Sequence, residues 1–194
     1  MLDKNVPYAG FFMVRKPGGS PPSYALPEGY KFTFYENGDE TSWARIEASV
    51  LEFTGEFAAL LHFNENFGEY RDELRRRCIF IEDPEGRKVA TSTAWWNEIN
   101  GERRAWLHWV AVEPEYQGLG LGKAVVARVT ELMTELEGDV PFYLGTQTWS
   151  YKAVSIYKAY GYTPTAEKAL YKGRSDKNYR KAMRILKRLE MMRY

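Results

Sequence analysis

The chain has a single cysteine, Cys78, so no disulfide can close within it. Cys78 opens the apolar run Cys78-Ile79-Phe80-Ile81, which reads as a buried strand segment and not as a reactive thiol. One free cysteine is compatible with a reducing compartment. No apolar run approaches the roughly 20 residues needed to cross a bilayer, so no membrane partner is expected. The opening residues Met1-Leu2-Asp3-Lys4-Asn5 lack a secretory apolar core, which makes the cytoplasm the expected location. With two histidines and one cysteine there is no Cys/His cluster, and no metal is expected. Charge of one sign is missing as well. Lys and Arg number 27 against 26 Asp and Glu, a formal net charge of +1 that argues against a polyanionic partner such as nucleic acid.

What is present suits one globular domain. The 194 residues can bury a real core, 44% are hydrophobic, and an aromatic content of 15% supplies rings to pack or to wall a pocket. The charge is uneven: from Thr165 onward ten basic residues face three acidic ones. The expected division is an N-terminal arm over 1–29, a domain over 30–170 and a basic amphipathic C-terminal helix over 171–194.

Lys16-Pro17-Gly18-Gly19-Ser20-Pro21-Pro22 is a turn-rich linker, and Phe11 to Val14 before it could pair as an edge strand. Tyr30 to Tyr35 alternates as a strand. Two helices follow, the first with Trp43, Ile46, Val50 and Phe53 at helical spacing, the second with Phe57, Leu60, Leu61 and Phe67. Strands are expected at Arg77 to Ile81, Val89 to Trp96 and Arg104 to Val112, the last two joined by the hairpin signal Asn100-Gly101. Leu121 to Leu136 keeps a helical apolar period. Phe142 to Thr146 reads as a strand, Ser150 to Tyr160 as a helix stopped by Gly161, and Tyr162 to Leu170 as a final extended stretch. Ser175 is placed to cap a tail helix with Tyr179, Ala182, Met183, Leu186 and Leu189 on one face. The meander is antiparallel, and the strand-helix-strand step after Val112 implies a parallel pair. The fold class is mixed α/β (α+β), a mostly antiparallel central sheet flanked by helices.

The segment Gln117-Gly118-Leu119-Gly120-Leu121-Gly122-Lys123 lies between a strand and a helix. Glycines let a backbone turn tightly and approach a ligand. Amides at a helix start, backed by the dipole, form an anion site suited to a pyrophosphate, and Lys123 adds a positive charge. The spacing G-x-G-x-G is neither the dinucleotide G-x-G-x-x-G nor a Walker loop, and by itself it also fits a purely structural turn.

The wider run, Val110-Ala111-Val112-Glu113-Pro114-Glu115-Tyr116-Gln117-Gly118-Leu119-Gly120-Leu121-Gly122, resembles the acetyl-coenzyme A signature of the GNAT superfamily of N-acetyltransferases. That signature is a strand ending V-x-V, then x-P, then Q/R-x-x-G-x-G/A opening a helix. A second segment, Ser150 to Tyr162, is similar to the family's N-x-x-A-x-x-x-Y-x-x-x-G-F, with Ala153, Tyr157 and Gly161 in place, Tyr162 for Phe and Ser150 for Asn. The looser resemblance runs from about Tyr30 to Leu170.

The resemblance implies an acyl-coenzyme A N-acyltransferase fold with two splayed strands. It implies acetyl-coenzyme A as co-substrate, its pyrophosphate held by the amides from Gln117 to Lys123. Its pantetheine arm would bond the strand end Val110, Ala111 and Val112, with Ser150 and Ala153 beside it. Tyr157 is then the expected acid for the departing thiolate, and the amide of Val112, or one near it, the oxyanion donor. Members often carry the base on the strand leading into V-x-V. Here Ala105 to Val110 has no carboxylate, which leaves His108 or a water; His108 also reads as a half-buried strand histidine, and His62 as a packing residue.

The expected acceptor is a small-molecule or peptide amine, with a homodimer left open. Trp43, Phe53, Phe57, Trp95, Trp96, Trp106 and Trp149 are available as pocket walls, and Glu36, Asp39 and Glu98 as carboxylates that could attract a cation. The rival readings are transfer of another acyl group or to a hydroxyl, and a coenzyme-binding regulatory module without turnover.

Overall fold

The computed structural model describes residues 2–19, 22–171 and 177–192. Among these residues seven strands form one sheet: β1 (Gly10–Arg15), β2 (Lys31–Phe34), β3 (Cys78–Glu82), β4 (Lys88–Ile99), β5 (Glu102–Val112), β6 (Phe142–Gln147) and β7 (Tyr162–Thr165). The order across it is β2-β3-β4-β5-β6-β1-β7. Strands β2 to β5 make the expected antiparallel meander. Asn100 and Gly101 turn the β4–β5 hairpin with φ of 54° and 80°, the conformation an Asn-Gly pair adopts most readily.

Among the described residues six helices cover the sheet: α1 (Glu40–Ser49), α2 (Glu56–Phe67), α3 (Arg71–Arg77), α4 (Leu121–Glu137), α5 (Tyr151–Ala159) and α6 (Lys177–Met191). Strand alternation divides β3 between two cores. Cys78 and Phe80 pack with Trp43, Phe63 and Leu74 of α1, α2 and α3. Ile79 and Ile81 pack with Leu121, Val125, Val129 and Leu132 of α4. Burial on both faces is why this strand reads as a continuous apolar run. Helix α4 carries the chain to β6, which pairs parallel with β5.

Three expectations change. Phe11 to Val14 is not at an edge: β1 lies between β6 and β7, paired antiparallel to both. Phe11 and Met13 pack into the α4 side, while Phe12 and Val14 pack beside Trp106 and Tyr143 on the other. A strand apolar on both faces belongs inside a sheet, so the segment expected as an arm supplies an interior strand. Helix α3 shows no apolar period in the sequence, because Leu74 is its only apolar residue. Its exposed side is laced by Arg75–Asp72 and Arg76–Glu73 pairs, three residues apart. The stretch after Tyr162 is extended only to Thr165. Leu170 then folds back onto Trp106 and Tyr143 through a 3-10 turn over Lys168–Tyr171, where the Tyr171 hydroxyl donates to the Thr165 carbonyl at 2.9 Å.

The tail helix docks as its period implied. Ala182 and Leu186 are buried in the α4-side core, and Met183 is partly buried against it. Lys158 of α5 pairs with Glu190 at 2.7 Å. Lys177, Arg180, Arg184 and Lys187 are exposed. The Ser175 cap lies outside the described residues.

Candidate active site

The site begins with a defect in β5. Thr91 pairs with Ala111 and Thr93 with His108, so Trp109 and Val110 together oppose Ser92. This is a β-bulge. Trp109 takes φ of 53° there, a left-handed value that a bulky residue adopts only when its surroundings impose it. Beyond the bulge β5 leaves β6. Only one ladder pair joins the two strands, Trp106 with Tyr143.

The strand end faces the resulting gap. Ala90 lies opposite Val112, and the Glu113 amide donates to the Val89 carbonyl at 2.9 Å. That makes Ala90–Val112 a non-hydrogen-bonded pair towards β4, so the Val112 N–H and C=O turn the other way, into the gap. The Val112 carbonyl accepts from the Gln117 side chain at 2.8 Å.

The glycine loop closes one end of the gap. Gly118 and Gly120 take φ of 93° and 88°, values a side chain would resist, and Gly120 is the N-cap of α4. The Gln117 amide donates to Pro114 and the Lys123 amide to Gly120. The amides the loop can offer an anion are therefore those between, from Gly118 to Gly122, a narrower set than expected. Leu121 is buried in the core, so only its backbone can face the site.

A cavity of about 440 Å³ runs from this loop along the strand end. Of the expected coenzyme contacts, Val110, Ala111, Val112, Gln117, Gly118, Leu119, Gly120, Gly122, Lys123, Ser150 and Ala153 all line it, as does Tyr157. A second cavity of about 370 Å³ opens on the far side of the splay, walled by Phe12, Trp106 and Trp109 among others. Val110, Ser150, Ala153 and Tyr157 line both, so Tyr157 stands where they meet. Its ring is 7% exposed, and burial, with Tyr162, Glu47 and Glu52 nearby, raises its pKa and keeps the phenol protonated.

His108 lines only the second cavity, with Nε2 3.4 Å from Asn97 Oδ1. Burial, aided by His62, pushes its pKa down to about 4, so the imidazole is neutral and weakly basic. His62 packs flat on Trp43 and edgewise on Trp109, with centroids 6.4 and 5.0 Å away.

Sequence reasoning passed over Glu47 and Glu52. Glu47, on α1, is 1% exposed and lines the second cavity. Among the described residues its Oε1 has no hydrogen-bond partner. Burial, and then the Glu52 charge, raises its pKa well above the usual carboxylate range. Glu52 is exposed at the rim of both cavities and accepts from Gln147 at 3.0 Å. The signal was available: Glu47 lies four residues after Trp43 and three before Val50, on the apolar stripe of its helix.

The carboxylates chosen from sequence do not line either cavity. Glu36 and Glu98 are exposed, and Asp39 pairs with Lys88 at 2.9 Å. Of the expected aromatic walls only Trp106 lines the second cavity; Trp43 is fully buried and Phe57 is 82% exposed.

The family model for the acetyltransferase (GNAT) family matches residues 24–162, well over half of the chain. The chain belongs to the GNAT acetyltransferase family. Among solved structures it resembles a GCN5-related N-acetyltransferase from Sphaerobacter thermophilus, with a TM-score of 0.64 and 18% identity over 82% of this chain and 49% of that one. A GNAT-family acetyltransferase from Colwellia psychrerythraea gives 0.60 at 12% identity, covering 82% and 54%. At these identities the likeness is one of fold. A curated thialysine N-epsilon-acetyltransferase from Sus scrofa is 36% identical over 59 residues, 30% of this chain and 34% of that protein. The chain thus spans about a third of that relative and about half of these solved GNAT chains. Among the described residues no group of His, Cys, Asp or Glu could hold a metal ion, and no helix is long and apolar enough to cross a membrane.

Proposed function

We propose that this GNAT domain transfers the acetyl group of acetyl-coenzyme A directly to a primary amine of a small molecule or peptide. The observation that carries the reading is the meeting of two cavities at Tyr157, through the gap the β5 bulge opens. A two-substrate transfer needs such an arrangement, with each reactant entering from its own side.

The first cavity fits the coenzyme. The amides from Gly118 to Gly122 at the start of α4, with Lys123, suit the pyrophosphate. The inward-turned groups of Val112 suit the amides of the pantetheine arm, which lies like an added strand beside Ser150 and Ala153. Bound there, the coenzyme supplies an activated acetyl thioester.

The amine nitrogen attacks the thioester carbon, and the amide of Val112, or one near it, donates to the oxygen that becomes anionic. Collapse breaks the C–S bond, and the Tyr157 phenol protonates the sulfur as it leaves. Burial raises the pKa of that phenol, which favours its protonated form at neutral pH.

The test is a panel of primary amines and alcohols, assayed for free thiol release from acetyl-coenzyme A and for the acylated product. Amine-dependent release with an N-acetyl product is expected. Release that depends on hydroxyl acceptors, or preference for a longer acyl-coenzyme A, would replace this reading with another acyltransferase. Tight coenzyme binding with no acceptor-dependent release would favour a regulatory module.

A further inference from the structure

The acceptor cavity contains a carboxyl group that ordinary folding energetics disfavours. Burying an ionisable carboxyl without a cation or donors destabilises a protein, and such groups concentrate where chemistry needs them. Glu47 is 1% exposed, its Oε1 has no hydrogen-bond partner among the described residues, and it lines the second cavity alongside Tyr157.

We propose that Glu47 is the catalytic base, the group that takes the proton from the acceptor amine, and that the rim carboxylate Glu52 draws the cationic amine in. This rests on the acetyltransferase reading above. Each turnover balances. The ammonium gives one proton to the Glu47 carboxylate, and its nitrogen then attacks the thioester carbon. The C–N bond forms and the C–S bond breaks. The thiolate takes a proton from the Tyr157 phenol, the phenol is restored by the proton still on the amide nitrogen, and Glu47 releases its proton to solvent.

Both Glu47 and His108 line the cavity, but His108 Nε2 lies 3.4 Å from Asn97 Oδ1, whereas Glu47 Oε1 has no partner among the described residues and is free for a substrate. An imidazole pushed down to about 4 holds a proton poorly. A carboxylate shifted upward is the stronger base and lies closer to the range an amine requires. The groups that bear on Glu47 are Glu52 beyond the end of α1, Tyr157 of α5, Cys78 of β3 and His108 of β5. Lys4 acts on Glu52, lowering its pKa against the rise that burial causes. No cation in this set faces Glu47, and burial and the Glu52 charge both push its pKa upward.

The experiment compares wild type, Glu47→Gln and Glu47→Asp. The probes are acetyl-coenzyme A with 1,4-diaminobutane and benzylamine, over pH 5.5–9.5, together with calorimetric coenzyme binding and melting curves. Glu47→Gln is expected to bind acetyl-coenzyme A as wild type does and to lose about 10²-fold or more in kcat/KM. Its residual rate should climb with pH along the amine's own ionisation, since only amine already neutral can attack. Glu47→Asp should keep part of the activity and the wild-type acid limb, and it carries the test if the glutamine variant does not fold.

A second readout does not need turnover. A carboxyl whose folded pKa is raised makes the fold lose stability as pH rises from the unfolded value through the folded one. Glu47→Gln should therefore melt above wild type, by a margin that widens as pH rises from the ordinary carboxylate range. Unchanged kcat/KM in Glu47→Gln would overturn the proposal, as would a variant that melts lower at every pH. Failure of the underlying reading looks different: the wild type itself would acetylate neither these amines nor any other in the panel, whether or not it binds acetyl-coenzyme A.

Discussion

Tyr157 is where one hydroxyl can be separated from the packing around it. Tyr157→Phe removes that hydroxyl and almost no volume. A donor acting on the departing thiolate helps mainly in the transition state, so kcat should fall by about 10²-fold with the acetyl-coenzyme A affinity nearly unchanged. Steady-state kinetics beside calorimetry checks this, and a folded variant with near-full kcat would remove the acid role. Cys78 offers a contrasting case. Burial pushes its thiol up to about 12, so negligible thiolate exists at neutral pH. Iodoacetamide should leave the native protein unmodified and label it once denaturant is added, as mass spectrometry would show. Tyr157 was legible because a motif spaces it from Ala153 and Gly161. Glu47 was not, because a lone carboxylate on an amphipathic helix reads as a solvated residue until the fold shows which face it shares. His108 was legible as a titratable residue, but the burial that weakens it as a base is a property of the assembled cavity.

At the level of elements, local period was readable and distant pairing was not. Helix α4 starts at Leu121 and the hairpin turns at Asn100-Gly101 as expected, because both are written in neighbouring residues. Strand β1 is held by β6, with Gly10 opposite Gln147, and by the Thr148 side chain, which accepts from the Ala9 amide at 2.9 Å. No local pattern announces a partner so far along the chain. The bulge at Trp109 was equally hidden, since alternation in Ala105 to Val110 gives no sign of one residue too many. The tail helix was legible from its stripe, and its docking can be tested with one methyl-rich side chain. Leu186 is 6% exposed, and Leu186→Ala should destabilise the fold by about 2–5 kcal/mol. For a domain of this size that lowers Tm by roughly 4 °C or more. Lys187→Ala, on the exposed face, should leave Tm unchanged. Equal melting of both variants would mean the helix contributes nothing by docking.

At the scale of the whole molecule, two helical layers sandwich a sheet that comes apart between its β5 and β6 strands, and the two cavities meet in that gap. Nearly balanced total charge coexists with opposite local character at its two ends, amides and Lys123 at one and Glu47 with Glu52 at the other. We propose that the glycine-loop end receives the coenzyme's phosphates. Gly120 is a poor place to test it: its φ is 88°, and an added Cβ would lie 2.7 Å from the Tyr24 hydroxyl. Gly122 is better. It has helical φ, and the nearest atom to an added Cβ is the mobile end of Ile156 at 3.3 Å. A carboxylate in the first turn of a helix also favours the helix itself, so Gly122→Asp should fold. The decisive measurement is a calorimetric titration of acetyl-coenzyme A into wild type and Gly122→Asp, each checked for an unchanged Tm. Binding by the wild type and a loss of at least about tenfold in the variant are expected, as phosphate meets negative charge. Equal affinity in a folded Gly122→Asp protein, or no binding by the wild type, would contradict the account.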